Sequence, residues 1–154
     1  MRVVVTRDRQ GKSVFCGDRQ VDPAEMPGLR MGLLWGSDEV PIEVPRSAAE
    51  PEELPDGYFP AAGGVRATLV EFEPSPSLET SEGLHQADTV DVVWVIEGEL
   101  GCNLDSGETV WLRPGDLLVV NGANHQWFNR TNGTARAGFV SLGARRVPGV
   151  ESSD

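Results

Sequence analysis

With 154 residues, the chain is long enough to bury one core and too short for two ordinary ones, so a single domain over 1–154 is expected. Thirteen basic residues against 24 acidic ones leave a net charge of −11, which argues against nucleic-acid and anionic-membrane partners, since both call for a basic patch. No apolar run approaches the ~18 residues that span a bilayer, and MRVVVTRDRQ turns charged too soon for a secretory signal, so a cytoplasmic location is the default expectation.

Eighteen glycines and eleven prolines punctuate the chain densely enough to favour short strands over long helices. RVVVTRDRQGKSVFC, from Arg2 to Cys16, predicts a hairpin turning at Gln10-Gly11. The stretch from Trp35 to Gly64 carries Pro41, Pro45, Pro51, Pro55 and Pro60 and a crowd of acids from Asp38 to Asp56. It has no sustained periodicity and predicts a long surface loop placed to cover a barrel mouth. Strands follow from Gly64 onward. VRATLVEFE ends at Pro74-Ser75-Pro76, and TVDVVWVI is interrupted by Gly98. LGCNL and ETVWL flank the hairpin-type turn Asp105-Ser106-Gly107, and Arg113-Pro114-Gly115-Asp116 turns the chain into LLVV. HQWFN and ARAGFVSL flank Arg130-Thr131-Asn132-Gly133, whose Asn-Gly predicts a further hairpin. No amphipathic helix is apparent. The expectation is an all-β sandwich or barrel. Cys16 and Cys102 match no Cys-x-x-Cys spacing and read as reduced thiols. Lys12 is the only lysine beside twelve arginines, which suggests a GC-rich bacterial gene.

The two histidines, His85 and His125, fall in separate strand-like segments. Side chains two apart on a strand share a face. His85, Ala87, Thr89 and Asp91 therefore point one way and Asp88 the other, unless a bulge intervenes; His125, Trp127 and Asn129 share a face likewise. If both segments line one interior, His85, Asp91 and His125 converge.

These segments resemble the two motifs of the cupin superfamily. Gly83 to Gly98 resembles the first, with His85 at its first histidine position, Asp91 at the carboxylate position and Gly98 at the closing glycine. Gly115 to Asn129 resembles the second, with the Pro114-Gly115-Asp116 turn, Gly122, His125 and Asn129 in place and one residue fewer than the commonest spacing. Ala87 stands where a second histidine is usual, and Asp91 where glutamate is. A His-x-x-Asp-Thr-Val-Asp run of this kind marks some small bacterial and fungal cupins. The resemblance implies a double-stranded β-helix (jelly-roll) barrel over roughly residues 64–143, preceded by an N-terminal hairpin and the Pro-rich loop.

It also implies one divalent transition metal held by His85, Asp91 and His125. Two imidazoles and a carboxylate suit Fe(II) and Zn(II), with Mn and Ni as further candidates. Asp88 is a reserve ligand or general base if a bulge turns it inward. Trp127 is a candidate pocket wall and Arg66 a candidate anchor for a substrate carboxylate or enolate; each is also readable as packing or an ion pair. Asn129 is expected to fix a turn, and Glu97 and Glu99 to be solvated at a strand end. The functions implied are a lyase, dehydratase or isomerase acting on a keto, enol, hydroxy-acid or polyketide-like metabolite; an Fe(II) dioxygenase; or a non-catalytic small-molecule-binding barrel, with or without metal. A small-molecule substrate and a homodimer complete the expectations.

Overall fold

The computed structural model describes residues 1–10, 12–44, 58–75 and 83–147, and among these no residue is helical. Strands β1 (Arg2–Arg9) and β2 (Lys12–Gln20) form the expected antiparallel hairpin, a two-stranded sheet of its own. Gln10 closes the turn with a φ of 54°. The hairpin's base is tied down where Val21 N–H donates to the Met1 carbonyl and the Met1 ammonium donates back to the Val21 carbonyl, both at 2.7 Å. Arg19 extends this anchor by donating to the carbonyls of Leu33 and Leu34.

Next come β3 (Ala24–Met26), β4 (Leu29–Ser37), β5 (Val65–Phe72) and β6 (Thr89–Glu97), followed by β7 (Leu100–Leu104), β8 (Thr109–Leu112), β9 (Leu117–Asn121), β10 (His125–Phe128) and β11 (Ala135–Gly143). They pair as a six-stranded sheet of order β3-β4-β5-β11-β6-β9 and a three-stranded sheet of order β10-β7-β8. One core is drawn from both: Val70 and Phe72 of β5 and Val93 and Val95 of β6 pack with Leu100 of β7 and Leu112 of β8. This is the expected all-β jelly-roll architecture, built on antiparallel pairs throughout the described residues.

The alternation in TVDVVWVI is realised directly. Thr89, Asp91, Val93 and Val95 are buried, while the residues between them are only partly so. Strand β4 carries no such signal, because its pairing with β5 shifts between Leu33 and Trp35. A shift of this kind breaks the period of two on which a strand is recognised. The large sheet accordingly begins well before Gly64.

The hairpin expected around Asn132-Gly133 does not form. Strand β10 pairs with β7, whereas β11 pairs with β5 and β6, so this turn hands the chain from one sheet to the other. Asn129 holds the crossing. Its fully buried side chain donates to the carbonyls of Phe72 (3.0 Å) and Gly133 (2.6 Å) and accepts from Thr131 N–H (2.9 Å) and Oγ1 (2.7 Å). Three of these four bonds engage backbone groups around the crossing.

Rows of facing residues cross the large sheet. Arg30, Glu71, Arg136 and Glu97 form a ladder of alternating charge over β4, β5, β11 and β6. Arg66, Ser141 and Asp91 form another row, and all three are buried. Glu99 pairs with Arg113 and Arg130, so it is braced by cations instead of merely solvated; these two guanidinium groups hold its carboxyl below the usual range. Arg130 also lies 3.3 Å over the Trp111 ring. Cys102 is a free, buried thiol pushed up to about 11 by desolvation; the Cys16 side chain lies outside the described ones.

Candidate active site

A cavity of about 170 Å3 opens within the barrel, and His85, His125, Asp91 and Trp127 all line it. Two strands and the segment before β6 supply these four side chains. Strand β10 supplies His125 and Trp127, and β6 supplies Asp91 from its alternating inner face. His85 lies just before β6 and is fixed by an isolated bridge to His125, in which each residue's N–H donates to the other's carbonyl (2.9 and 3.0 Å). This backbone bridge sets the rings side by side, with centroids 4.5 Å apart.

The two rings share one polarity. His85 Nδ1 sits 3.0 Å from the Gly83 carbonyl and His125 Nδ1 2.9 Å from the Ala123 carbonyl. A carbonyl only accepts, so each neutral ring carries its proton on Nδ1 and keeps a lone pair on Nε2. That is the tautomer a metal-ligating histidine requires, with Nδ1–H held by a backbone carbonyl. Burial holds the His125 imidazole below its ordinary pKa, an effect reinforced by His85 and opposed by the Ala123 carbonyl and Asp91.

Asp91 is 5% exposed. Its Oδ2 accepts from Thr89 Oγ1 at 2.9 Å, and its Oδ1 has no partner. A buried carboxylate oxygen left unpaired is costly, and on a residue that lines the cavity it marks a group suited to a cation. Donor chemistry therefore fits a divalent transition metal: two imidazole nitrogens and one carboxylate oxygen. No group of three or more described His, Cys, Asp or Glu side chains is arranged to hold an ion as it stands. The histidines are brought together, and Asp91 shares their cavity.

Two other expected site residues lie elsewhere. Asp88 is exposed and bonded to Arg146 Nε at 2.7 Å, outside the cavity lining; no inward bulge forms, because its carbonyl is also engaged by Ala144 N–H. Arg66 is 1% exposed yet does not line the cavity either. Its Nη2 meets Asp38 Oδ2 at 2.6 Å and its Nη1 donates to the Val65 carbonyl, and this guanidinium holds the Asp38 carboxyl below the usual range. The Arg66–Asp38 pair serves the architecture: Asp38 Oδ1 accepts from Ala61 N–H, which anchors the returning end of the long loop. Ala87 is buried and also absent from the lining.

Trp127 takes the expected place on the wall. Its ring lies edge-on to His125 (5.6 Å) and to Phe139 (5.5 Å) and packs near Phe72 (6.4 Å). The reading of the sequence missed most of the apolar lining, including Met26 and Met31 from strands β3 and β4. It also missed Tyr58 and Phe59, which reach the cavity from the end of the Pro-rich segment and stay 51% and 47% exposed. Their position accords with a loop over the mouth, although residues 45–57 lie outside those described.

No protein-family model matches the sequence. Among curated proteins, the cupin-domain-containing oxidoreductase fogC of Aspergillus ruber is 31% identical over 96% of this chain and 74% of its own length. Phomopsin biosynthesis cluster protein C' of Diaporthe leptostromiformis is 38% identical over 95% of this chain and 79% of its own length. Both relatives are fungal, so the bacterial origin suggested by arginine usage finds no support in them. Among solved structures, the "putative ethanolamine utilization protein q" of Salmonella typhimurium has a TM-score of 0.51 at 14% identity, covering 94% of this chain and 98% of that one, a likeness of fold alone. The oxidoreductase name carried by relatives supports a cupin-type enzyme. Two motifs in order, a jelly-roll of paired sheets and near-full-length similarity agree on one assignment: this chain belongs to the cupin superfamily.

Proposed function

We propose that this cupin is a metal-dependent enzyme acting on a small oxygenated molecule in the barrel cavity, with His85, Asp91 and His125 as metal donors. The observation that carries the reading is that His85 and His125, each with Nδ1 turned to a backbone carbonyl, line one cavity with Asp91, whose Oδ1 has no partner. A divalent ion on three protein donors keeps open positions and supplies Lewis acidity or, if it is iron, electron transfer. Trp127 and Phe139 orient the substrate by contact, and Tyr58 and Phe59 at the mouth limit access of water.

The reaction class supported best is oxidation. Relatives are named oxidoreductases, and Asp88, the expected proton-moving carboxylate, is committed to Arg146 outside the cavity. A lyase or isomerase is the alternative, since a Lewis-acidic ion on the same three donors would serve that chemistry as well. A homodimer is proposed as well, through the hairpin face where Phe15 is 81% and Val4 43% exposed. Sedimentation as a monomer at micromolar concentration removes that part.

Metal analysis of protein purified without added metal, beside His85→Ala and His125→Ala, tests the core claim. About one equivalent, lost in both variants, is expected. Iron with oxygen uptake supports oxidation; zinc or nickel without it supports the lyase or isomerase. An empty wild type that takes up no metal on titration refutes the metal centre and leaves a binding barrel.

A further inference from the structure

The two sheets of the barrel end in four edge strands, β3, β9, β10 and β8. Strand β3 is three residues long and carries Glu25, ion-paired to Arg30. The outer side of β10 is taken at His125 by the bridge to His85. Strand β9 has no neighbour beyond it among the described residues. Natural edges are blunted by charge, proline, a bulge or extreme shortness. Leu117-Leu118-Val119-Val120-Asn121 has none of these, and its register with β6 runs unbroken. Val95 of β6 accepts from Gly115 N–H and donates to the Asp116 carbonyl. Alternation along the ladder then turns Leu118 and Val120 toward β6 and leaves the backbone groups of Leu117, Val119 and Asn121 facing outward. Leu117 and Val119 are 57% and 46% exposed. Beside this edge a groove of about 400 Å3 runs between β9 and β8, lined by Cys102, Leu104, Val110, Leu118 and Val120 among others. Edge and groove together offer hydrogen bonds to an added strand and an apolar bed for its alternate side chains.

We propose that this edge seats a second copy of the chain, the two β9 strands pairing antiparallel about a two-fold axis at Val119. That register sets Val119 against its own counterpart, Leu118 against Val120 and Leu117 against Asn121. Val119 turns its donor and acceptor outward, so the pair on the axis exchanges both bonds. Leu118 and Val120 of the incoming strand lie on the groove side and cover the apolar bed, reciprocally in both copies. Charge favours a copy meeting here. At a net charge of −11 two chains repel over most of their surfaces, and β9 is an uncharged seam. The same register sets the exposed Asp116 of one copy opposite Gly122 of the other, whose carbonyl accepts from Arg146 at 3.3 Å. Each end of the seam thereby gains an opposite charge. Val120 is the cross-strand neighbour of Asp91, so the pairing also braces the strand that brings this carboxylate to the cavity. The inference goes beyond the function proposed above and uses a surface other than the hairpin face.

The test uses the whole chain, in the wild type and in Phe15→Glu, which silences the hairpin contact. Sedimentation velocity should show Phe15→Glu still dimeric at tens of micromolar. Adding Val119→Pro removes one outward N–H and leaves the β6 ladder intact. Adding Val119→Lys sets two ammonium groups face to face on the axis. Each should raise the dimer Kd at least ~10-fold while the circular dichroism stays that of the parent. Val119→Cys in a Cys16→Ser background should form an interchain disulfide on mild oxidation, because opposed residues of an antiparallel pair lie ~5.5 Å apart at Cα, within bridging range. Leu117→Cys, set opposite Asn121, should not. If Val119→Pro fails to fold, Val119→Lys and the cross-link decide. A monomeric Phe15→Glu chain overturns the inference and leaves the hairpin contact to be judged by the wild type. A dimer that survives Val119→Lys, or that cross-links no better at Val119→Cys than at Leu117→Cys, overturns it as well.

Discussion

Asp91→Asn separates what the fold needs from what the site needs. Asp91 is 5% exposed, its Oδ2 has one hydroxyl partner and its Oδ1 has none. Removing a charged carboxyl from water costs several kcal/mol after relaxation, and one hydrogen bond from Thr89 returns about 1.5–3 kcal/mol. An asparagine keeps the shape and an acceptor for Thr89 while removing the charge, at the cost of orienting a buried amide. The balance is a metal-free variant more stable than the wild type by ~1–2 kcal/mol, or roughly 2–8 °C in Tm for a chain of this length. Metal reverses the order, because an ion at 100 times its Kd adds ~2.7 kcal/mol to the wild type. Urea unfolding of both proteins, with chelator and with metal, reads both terms. Destabilisation of Asp91→Asn by more than ~1 kcal/mol in chelator would refute the claim that this carboxylate is kept at a cost to the fold.

Four further outcomes are expected. Asn129→Ala removes the acceptor of the Thr131 N–H and the side-chain donor to the Phe72 carbonyl, while the Gly133 carbonyl keeps Thr131 Oγ1, and should cost ~1–3 kcal/mol by chemical denaturation. Burial depresses the His125 pKa, so the unfolded chain binds more protons than the folded one between the two values. Its contribution is complete above about pH 6.5 and is lost as pH falls toward the folded value, a slope that His125→Gln removes from a stability–pH curve. A methyl group at Gly143 would overlap the Ala61 carbonyl and loosen the clamp that joins Gly143 to Gly63 and Gly64; Gly143→Ala should lower Tm and increase hydrogen exchange at residues 61–64. Cys102, with its thiol pushed up to about 11, should resist thiol reagents at pH 8 until the chain unfolds.

Much of the barrel is legible in the sequence because antiparallel strands with one buried face carry a period of two. Thr89, Asp91, Val93 and Val95 declare their own inner face, and the Gln10-Gly11 and Asp105-Ser106-Gly107 turns mark their hairpins. Two histidines at motif positions likewise mark the cavity, since both line it. What the sequence alone could not decide is pairing between distant strands. Asn132-Gly133 reads as a hairpin by local chemistry, yet burial drives β10 and β11 into different sheets and Asn129 secures the crossing. Strand β4 hides behind an irregular register, so the Met31 wall of the cavity was invisible. The fates of Arg66 and Asp88 were tertiary as well. A charge on a strand declares its face, but whether it meets a ligand depends on which partner the fold delivers, and here Asp38 and Arg146 arrive from 28 and 58 residues away.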